Sequence, residues 1–371
     1  MNGWRTIRLG SACTTNSSTY SPREKWTFVN YLDTGNITKD HIDSIQYIDV
    51  EKDKLPSRAR RKVKTGSIIY STVRPNQRHF GIIKSQPDNF LVSTGFTVID
   101  VNSDILNADF LYYVLTQDSI VEKLHAIAEQ STSAYPSIKS SDIENLEIEI
   151  PNLDTQAKIA SVLSELDRKA EQNNEINKNL LEQAQAIYTK RFITDADSLW
   201  PEGKLSDLIE VCYGKDHKKL HDGDIPVYGS GGIMRHVDRA LYEQESVLVP
   251  RKGTLNNVMY VDEPFWSVDT MFFTKMKQQN VAKFVFHFLK GKDLASMNAG
   301  SAVPSMTTKI LNAIPLQIPD DQTLSTFEAQ VSPFYQAASY NNKESENLAA
   351  IRDSLLPKLM SGEIDVSDID I

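Results

Sequence analysis

"SAYPSIKSSDIENLEIEIP" occupies residues 133–151 and "SAVPSMTTKILNAIPLQIP" occupies residues 301–319. Matched residues are displaced by the same 168 positions (304 − 136 for the prolines), so one chain carries one passage twice. The register continues downstream, where Asn173 and Asn174 fall on Asn341 and Asn342, and Asn179 and Leu180 on Asn347 and Leu348. Upstream, "FLYYVL" (110–115) matches "FVFHFL" (284–289), and Trp4 with Leu9 matches Trp200 with Leu205. The displacement grows to 174 (284 − 110) and then to 196 (200 − 4), so the intervening loops have changed length. A period this long exceeds the roughly 20 to 50 residues of a solenoid unit, and the chain reads as two copies of a domain-sized module.

Length and composition agree. A chain of 371 residues that is 40% hydrophobic has material for more than one core, since single cores rarely grow past about 250 to 300 residues. Cys13 and Cys212 are the only cysteines, no signal-like apolar segment follows Met1, and no apolar run reaches the roughly 18 residues that span a bilayer. The expectation is a soluble protein of a reducing compartment, with no membrane and no structural disulfide. A net charge of −9 argues against a generic polyanion binder, so any nucleic-acid contact must be local.

Pro151 and Pro319 close the alternating strands "LEIEIP" and "IPLQIP", and each precedes a polar turn. A helix is expected after each turn, with Asp154 or Thr155 as N-cap in the first copy. Seven-residue spines follow: Ile159, Leu166, Asn173, Leu180 and Ile187 in the first copy, Phe327, Phe334, Asn341, Leu348 and Leu355 in the second. Flanking residues such as Val162, Leu163, Ile176 and Ala184, and Val331, Ala337, Ile351 and Leu359, extend both seams. The central residue of each spine is asparagine, which at a core position costs stability but fixes register; the alternative is two solvated residues on ordinary amphipathic helices. Asn173 and Asn341 would meet in a parallel or an antiparallel pair, and a two-fold relation between the copies selects antiparallel. The first spine covers 28 steps (187 − 159), roughly 42 Å at about 1.5 Å per residue. That is close to the roughly 34–36 Å between points one turn apart on B-DNA. Pro357 is expected to end or kink the second helix. The expected segments are a first domain over 1–153, a long helix over 154–194, a second domain over 195–321, and a second long helix with tail over 322–371.

No enzyme signature emerges. "GSGG" (229–232) lacks the lysine and hydroxyl of a phosphate-binding loop and reads as a turn. His217 and His221 have metal-like spacing, but no glutamate base or third ligand is evident, and Lys218 and Lys219 would repel a cation. "SPFY" (332–335) is a poor substitute for the Asn/Asp-Pro-Pro-aromatic loop of adenine methyltransferases. The seven histidines are scattered, and Asp320 with Asp321 suits a helix start.

Local basic charge stands out instead. "RARRKVK" (58–64) supplies Arg58, Arg60, Arg61, Lys62 and Lys64, and precedes a strand ending in Arg74, Asn76, Gln77 and Arg78. In the second module "SVLVPRKGTLNN" (246–257) ends in Arg251, Lys252, Asn256 and Asn257, and "YGKDHKK" (213–219) adds Lys215, Lys218 and Lys219. Arginine bonds guanine bidentately and asparagine or glutamine bonds adenine, while lysine grips phosphate. A solvated surface loop is the bland alternative for any single run; basic clusters after corresponding strands in both modules weigh against it.

The order module, long helix, module, long helix, with "STVRPN" (71–76), "VSTGFTVI" (92–99), "EPFWSVDTMFF" (263–273), "SAYPSI" and the closing "RDSLLPKLMSGEI" (352–364), resembles the specificity (S) subunit of type I restriction-modification enzymes across nearly the whole chain. The resemblance implies an α/β protein with two pseudo-symmetric target recognition domains separated by two long helices that form an antiparallel coiled coil. Each domain would read one half of a bipartite double-stranded DNA target, and the coiled coil would set the spacer. It implies a non-catalytic chain that recruits two methyltransferase (M) subunits and restriction (R) subunits in a bacterial or archaeal cytoplasm. S-adenosylmethionine, ATP and Mg would then sit on those partners, with no cofactor or metal on this chain. The family has no fixed list of base-reading residues, so the basic clusters above are the candidates, with Asn173 and Asn341 for coiled-coil register. Two other classes stay open: a coiled-coil scaffold holding two protein-binding modules, and a stand-alone DNA enzyme.

Overall fold

The computed structural model describes residues 3–131, 135–297, 305–367 and 369. Ser133 and Ala134 of the first repeated passage, and 301–304 of the second, lie outside the described residues. The chain forms two compact units, Met1–Gln172 with Glu344–Ile371, and Asn173–Lys343.

In the first unit Arg5–Arg8 pairs antiparallel with Glu147–Ile150. The latter strand alternates, so Ile148 and Ile150 enter the core and the two glutamates face water. The second unit repeats the pairing with Glu202–Lys204 and Pro315–Gln317. The main sheet of the first unit runs Cys13–Thr15, Phe96–Val101, Ile68–Ser71, Phe80–Ile82 in spatial order, all antiparallel. That of the second runs Ile209–Tyr213, Met271–Met276, Ser246–Pro250, Met259–Val261 in the same order and sense. Ile68–Ser71 and Ser246–Pro250 are buried throughout, the mark of a strand covered on both faces.

A smaller sheet is four-stranded in the first unit (Gln46–Asp49, Phe28–Leu32, Phe90–Ser93, Ala59–Lys62) and three-stranded in the second (Gly232–Val237, Ile225–Gly229, Trp266–Ser267). The fourth place in the second unit holds only a bridge between Tyr242 and Phe265. Helices Ala108–Thr116 and Ala282–Lys290 match at a displacement of 174 (282 − 108) and bury the two aromatic stretches read from the sequence.

The long helices are Leu153–Thr189 and Asp321–Met360. The first cap is neither Asp154 nor Thr155: Asn152 accepts the Thr155 amide at 2.9 Å. A cap must itself be non-helical and reach an amide about three residues ahead, which suits asparagine. Asp320 takes the matched place (320 − 152 = 168) and accepts the Thr323 amide at 2.8 Å. Pro357 does not end the second helix, which runs on to Met360. In the last turn a missing N–H removes one bond, and the stop comes from Gly362 (φ 68°), whose amide reaches Leu359 O at 3.2 Å.

Within each unit the helical segments pair antiparallel. In the first, Asp167 meets Arg352 while Lys169 meets Glu344. In the second, Asn173 donates to the Asn341 carbonyl at 3.3 Å, and Asn177 exchanges amide bonds with Asn341 and Asn342, both at 2.8 Å. Arg191 reaches Gln330 further on, so partner numbers fall as residue numbers rise. Asn173 is buried, as are Ile159 and Phe327, but Ile176, Ala337 and Ile351 face solvent instead of extending the seam. Among the described residues no helix is long and apolar enough to cross a membrane.

Candidate nucleic-acid interface

The loop that leaves Ile68–Ser71 and returns as Phe80–Ile82 has a counterpart of equal length between Ser246–Pro250 and Met259–Val261. The strand ends are displaced by 179 (250 − 71 and 259 − 80), although the returning strand of the second hairpin pairs one residue out of step with the first. Backbone bonds fix this register. Thr72 N–H reaches Gly95 O and Arg251 N–H reaches Thr270 O, both at 2.8 Å. Ile138 N–H bonds Thr72 O at 2.8 Å, and Met306 N–H bonds Arg251 O at 2.9 Å. Bridges join Val73 to Ser137 and Lys252 to Ser305. The passage that the chain writes twice is therefore the clamp that holds one side of each loop.

The same clamping makes the outgoing halves of the two loops comparable residue by residue. Arg74 has positive φ (48°), as does Arg78 (57°), on either side of the short 3-10 turn Pro75–Gln77. The place of Arg74 is taken in the second loop by Gly253 (φ 86°), a residue without the Cβ that makes this conformation costly. The arginine of the second loop, Arg251, stands where the first has Thr72. Asn76 and Gln77 are exposed, whereas Arg78 is ion-paired to Asp118 at 2.7 Å. The Arg74 guanidinium lies over the Tyr135 ring at 5.0 Å, and that of Arg251 over Tyr213 at 5.4 Å.

Not every candidate faces water. The run 58–64 forms the edge strand Ala59–Lys62, whose alternation separates neighbouring side chains. Lys62 pairs with Glu24 and lies over Trp26, and partial burial lowers the pKa of Arg61. Arg60 is half-buried and turned back to Ser57 O at 3.4 Å, which leaves Arg58 and Lys64 as the exposed cations of the run. In the second unit Lys215, Lys218, Lys219 and Lys252 are exposed. Asn256 is engaged at both ends of its amide, donating to Asp293 at 3.2 Å and accepting from Ala295 N–H at 2.9 Å. Asn257 ties the loop to the 229–232 turn through Ser230 O at 2.8 Å.

That turn presents residues that charge patterning does not find. Ile233 and Met234 are exposed beside it, next to the basic loop. Tyr135 was also missed, although one signal existed: it is the residue by which "SAYPS" differs from "SAVPS". Among the described residues no cluster of three or more His, Cys, Asp or Glu could hold a metal, His217 and His221 included.

The sequence matches the family described as type I restriction modification DNA specificity domain over residues 1–182 and again over 197–344. It is 23% identical to the type I restriction enzyme HindI specificity subunit of Haemophilus influenzae, covering 98% of this chain and all of that one. It is 22% identical to the MjaIX specificity subunit of Methanocaldococcus jannaschii, covering 82% of this chain and 79% of the relative. Among solved structures, the S subunit of a type I restriction-modification system from M. genitalium superposes with a TM-score of 0.58 at 20% identity, covering 96% of both chains.

Proposed function

The chain belongs to the type I restriction-modification DNA specificity family, and from that premise we propose that each of its two domain copies reads one half of a bipartite DNA target. The loops 71–80 and 250–259 carry the reading residues: Arg74, Asn76 and Gln77 in one, Arg251, Lys252 and Asn257 in the other. Arg58, Lys64, Lys215, Lys218 and Lys219 hold phosphate, and the long helices set the length of DNA left unread. Asn173 and Asn341 hold the helices in register, because a slip would strand their amides away from partners. The chain performs no chemistry itself. It recruits methyltransferase subunits that bind S-adenosylmethionine and restriction subunits that use ATP and Mg, in the cytoplasm of a bacterium or archaeon.

One observation carries this reading. Two loops of equal length are clamped by the same repeated passage and filled with different side chains. A repeated frame with unlike contents suits recognition of two unlike sequences, whereas two copies of a catalytic site would repeat their reacting groups.

The test is methylation mapping in cells that express the chain with its methyltransferase partner, compared with the partner alone. Methylation at one split motif with a fixed gap is the expected result, and exchanging residues 1–153 for those of another family member should change one half only. A complex that forms but methylates no defined motif would overturn the reading in favour of a scaffold.

A further inference from the structure

Arg74 and Arg251 stand at different loop positions, yet each lies on an exposed tyrosine. Neither ring has an aromatic counterpart at the matched position of the other copy. Tyr135 belongs to the first repeated passage, where the second copy has Val303, a residue outside the described ones. Tyr213 ends the strand Ile209–Tyr213, where the first copy has Ser17 (213 − 17 = 196). Tyr135 and Tyr213 are 59% and 52% exposed. Tyr213 is also braced edge-on by the buried Phe272, 5.1 Å between centroids. The same pairing has thus been built twice from unrelated positions.

We propose that each stacked arginine reads a guanine, that Tyr135 and Tyr213 are its positioning residues, and that each half of the target therefore contains a G·C pair. This rests on the DNA-reading function proposed above. A guanidinium held over a ring keeps N–H donors available for other partners. Arg251 uses one of them on Asp269 O at 3.2 Å, and two more satisfy guanine O6 and N7, the adjacent acceptors that no other base offers in the major groove. Stacking restricts the long side chain before DNA arrives, so less freedom is lost on binding.

Duplexes of the mapped target, with 7-deazaguanine replacing one guanine at a time, test this with the full chain in its methyltransferase complex. The analogue lacks N7 and should weaken binding about tenfold at one position in each half. Arg251→Ala should abolish that sensitivity in one half and Arg74→Ala in the other. Tyr213→Phe should behave as the parent chain. Tyr213→Ser should weaken binding roughly two- to fivefold and blunt discrimination at the same guanine, whereas a merely structural role would weaken every sequence alike. A mapped half-site without guanine overturns the inference while leaving bipartite reading intact, as does a guanine still sensitive in Arg251→Ala. Equal weakening of every sequence by Tyr213→Ser would mean a phosphate contact or a merely structural role and also overturn it. Failure to find any split motif removes both readings.

Discussion

Asp109 and Lys283 are the second residues of matched helices (283 − 109 = 174) and carry opposite charge. Asp109 pairs with Lys84 at the surface, whereas Lys283 is 7% exposed and bonds Glu245 at 2.9 Å and Glu328 at 2.6 Å, between the rings of Tyr260 and Tyr335. Burial alone would lower the Lys283 pKa, but the two glutamates outweigh it and raise it. Each unit ties its domain helix to the long helices differently. The first uses Tyr113 with Asp167 and Arg352, and the second uses this lysine together with His287, Tyr335 and Gln185. The backbone frame was kept and the polar wiring beneath it replaced. Strand pairing in this fold therefore does not depend on any one polar set.

The largest predicted effect tests that contrast. Lys283→Met leaves two carboxylates without their cation and should destabilise the second unit by about 3–5 kcal/mol. Lys84→Ala removes an exposed pair and should cost less than about 1 kcal/mol. Hydrogen exchange followed separately in each unit measures both. Equal costs would mean that the buried lysine network is no more than surface decoration.

Acid should separate the copies next. His287 is 1% exposed, donates from Nδ1 to Gln185 Oε1 at 2.8 Å and accepts from the Tyr335 hydroxyl at 2.9 Å, and burial lowers its pKa to about 4. The unfolded chain therefore binds the proton first as pH falls. Stability from neutral His287 is complete above about pH 6.5 and is lost down to about pH 4, at most about 3 kcal/mol. The matched residue of the first unit is Tyr113, whose pKa is raised and which does not titrate there. His287→Gln should flatten the acid limb of the second unit and leave that of the first unchanged. An unaltered limb would show that other groups dominate it.

Local periodicity made much of this legible. The alternation of Glu147–Ile150 and the heptad spines follow from patterns of two or seven residues, which neighbouring residues specify by themselves, and the doubled passage is read by comparing the chain with itself at a displacement of 168. Pairing order was not legible, because Cys13–Thr15 meets Phe96–Val101 across more than 80 residues without a local signal. The same limit explains the candidates that turned out to be engaged. Lys62 meets Glu24 and Trp26, and Asn256 meets Asp293, partners that only the folded chain brings together. Both loops read as strands ending in arginine, but only the backbone bonds to Gly95 and Thr270 show that Arg251 matches Thr72, not Arg74.

That last correction supplies the smallest and most discriminating prediction. If the frame asks for positive φ at this loop position, Gly253 meets the demand and Arg74 meets it at a cost. Relieving it by Arg74→Gly should return about 1–2 kcal/mol, against about 0.5–1 kcal/mol for the lost stack on Tyr135. The first unit should therefore keep its stability or gain up to about 1.5 kcal/mol, read as a shift in denaturation midpoint. Binding should still fall, with the loss confined to one half-site. A substitution that leaves the fold as stable or more so while weakening DNA binding would establish that Arg74 is kept for its ligand. Lost stability would instead make the arginine part of the frame, and the likeness between the two loops would then be one of shape alone.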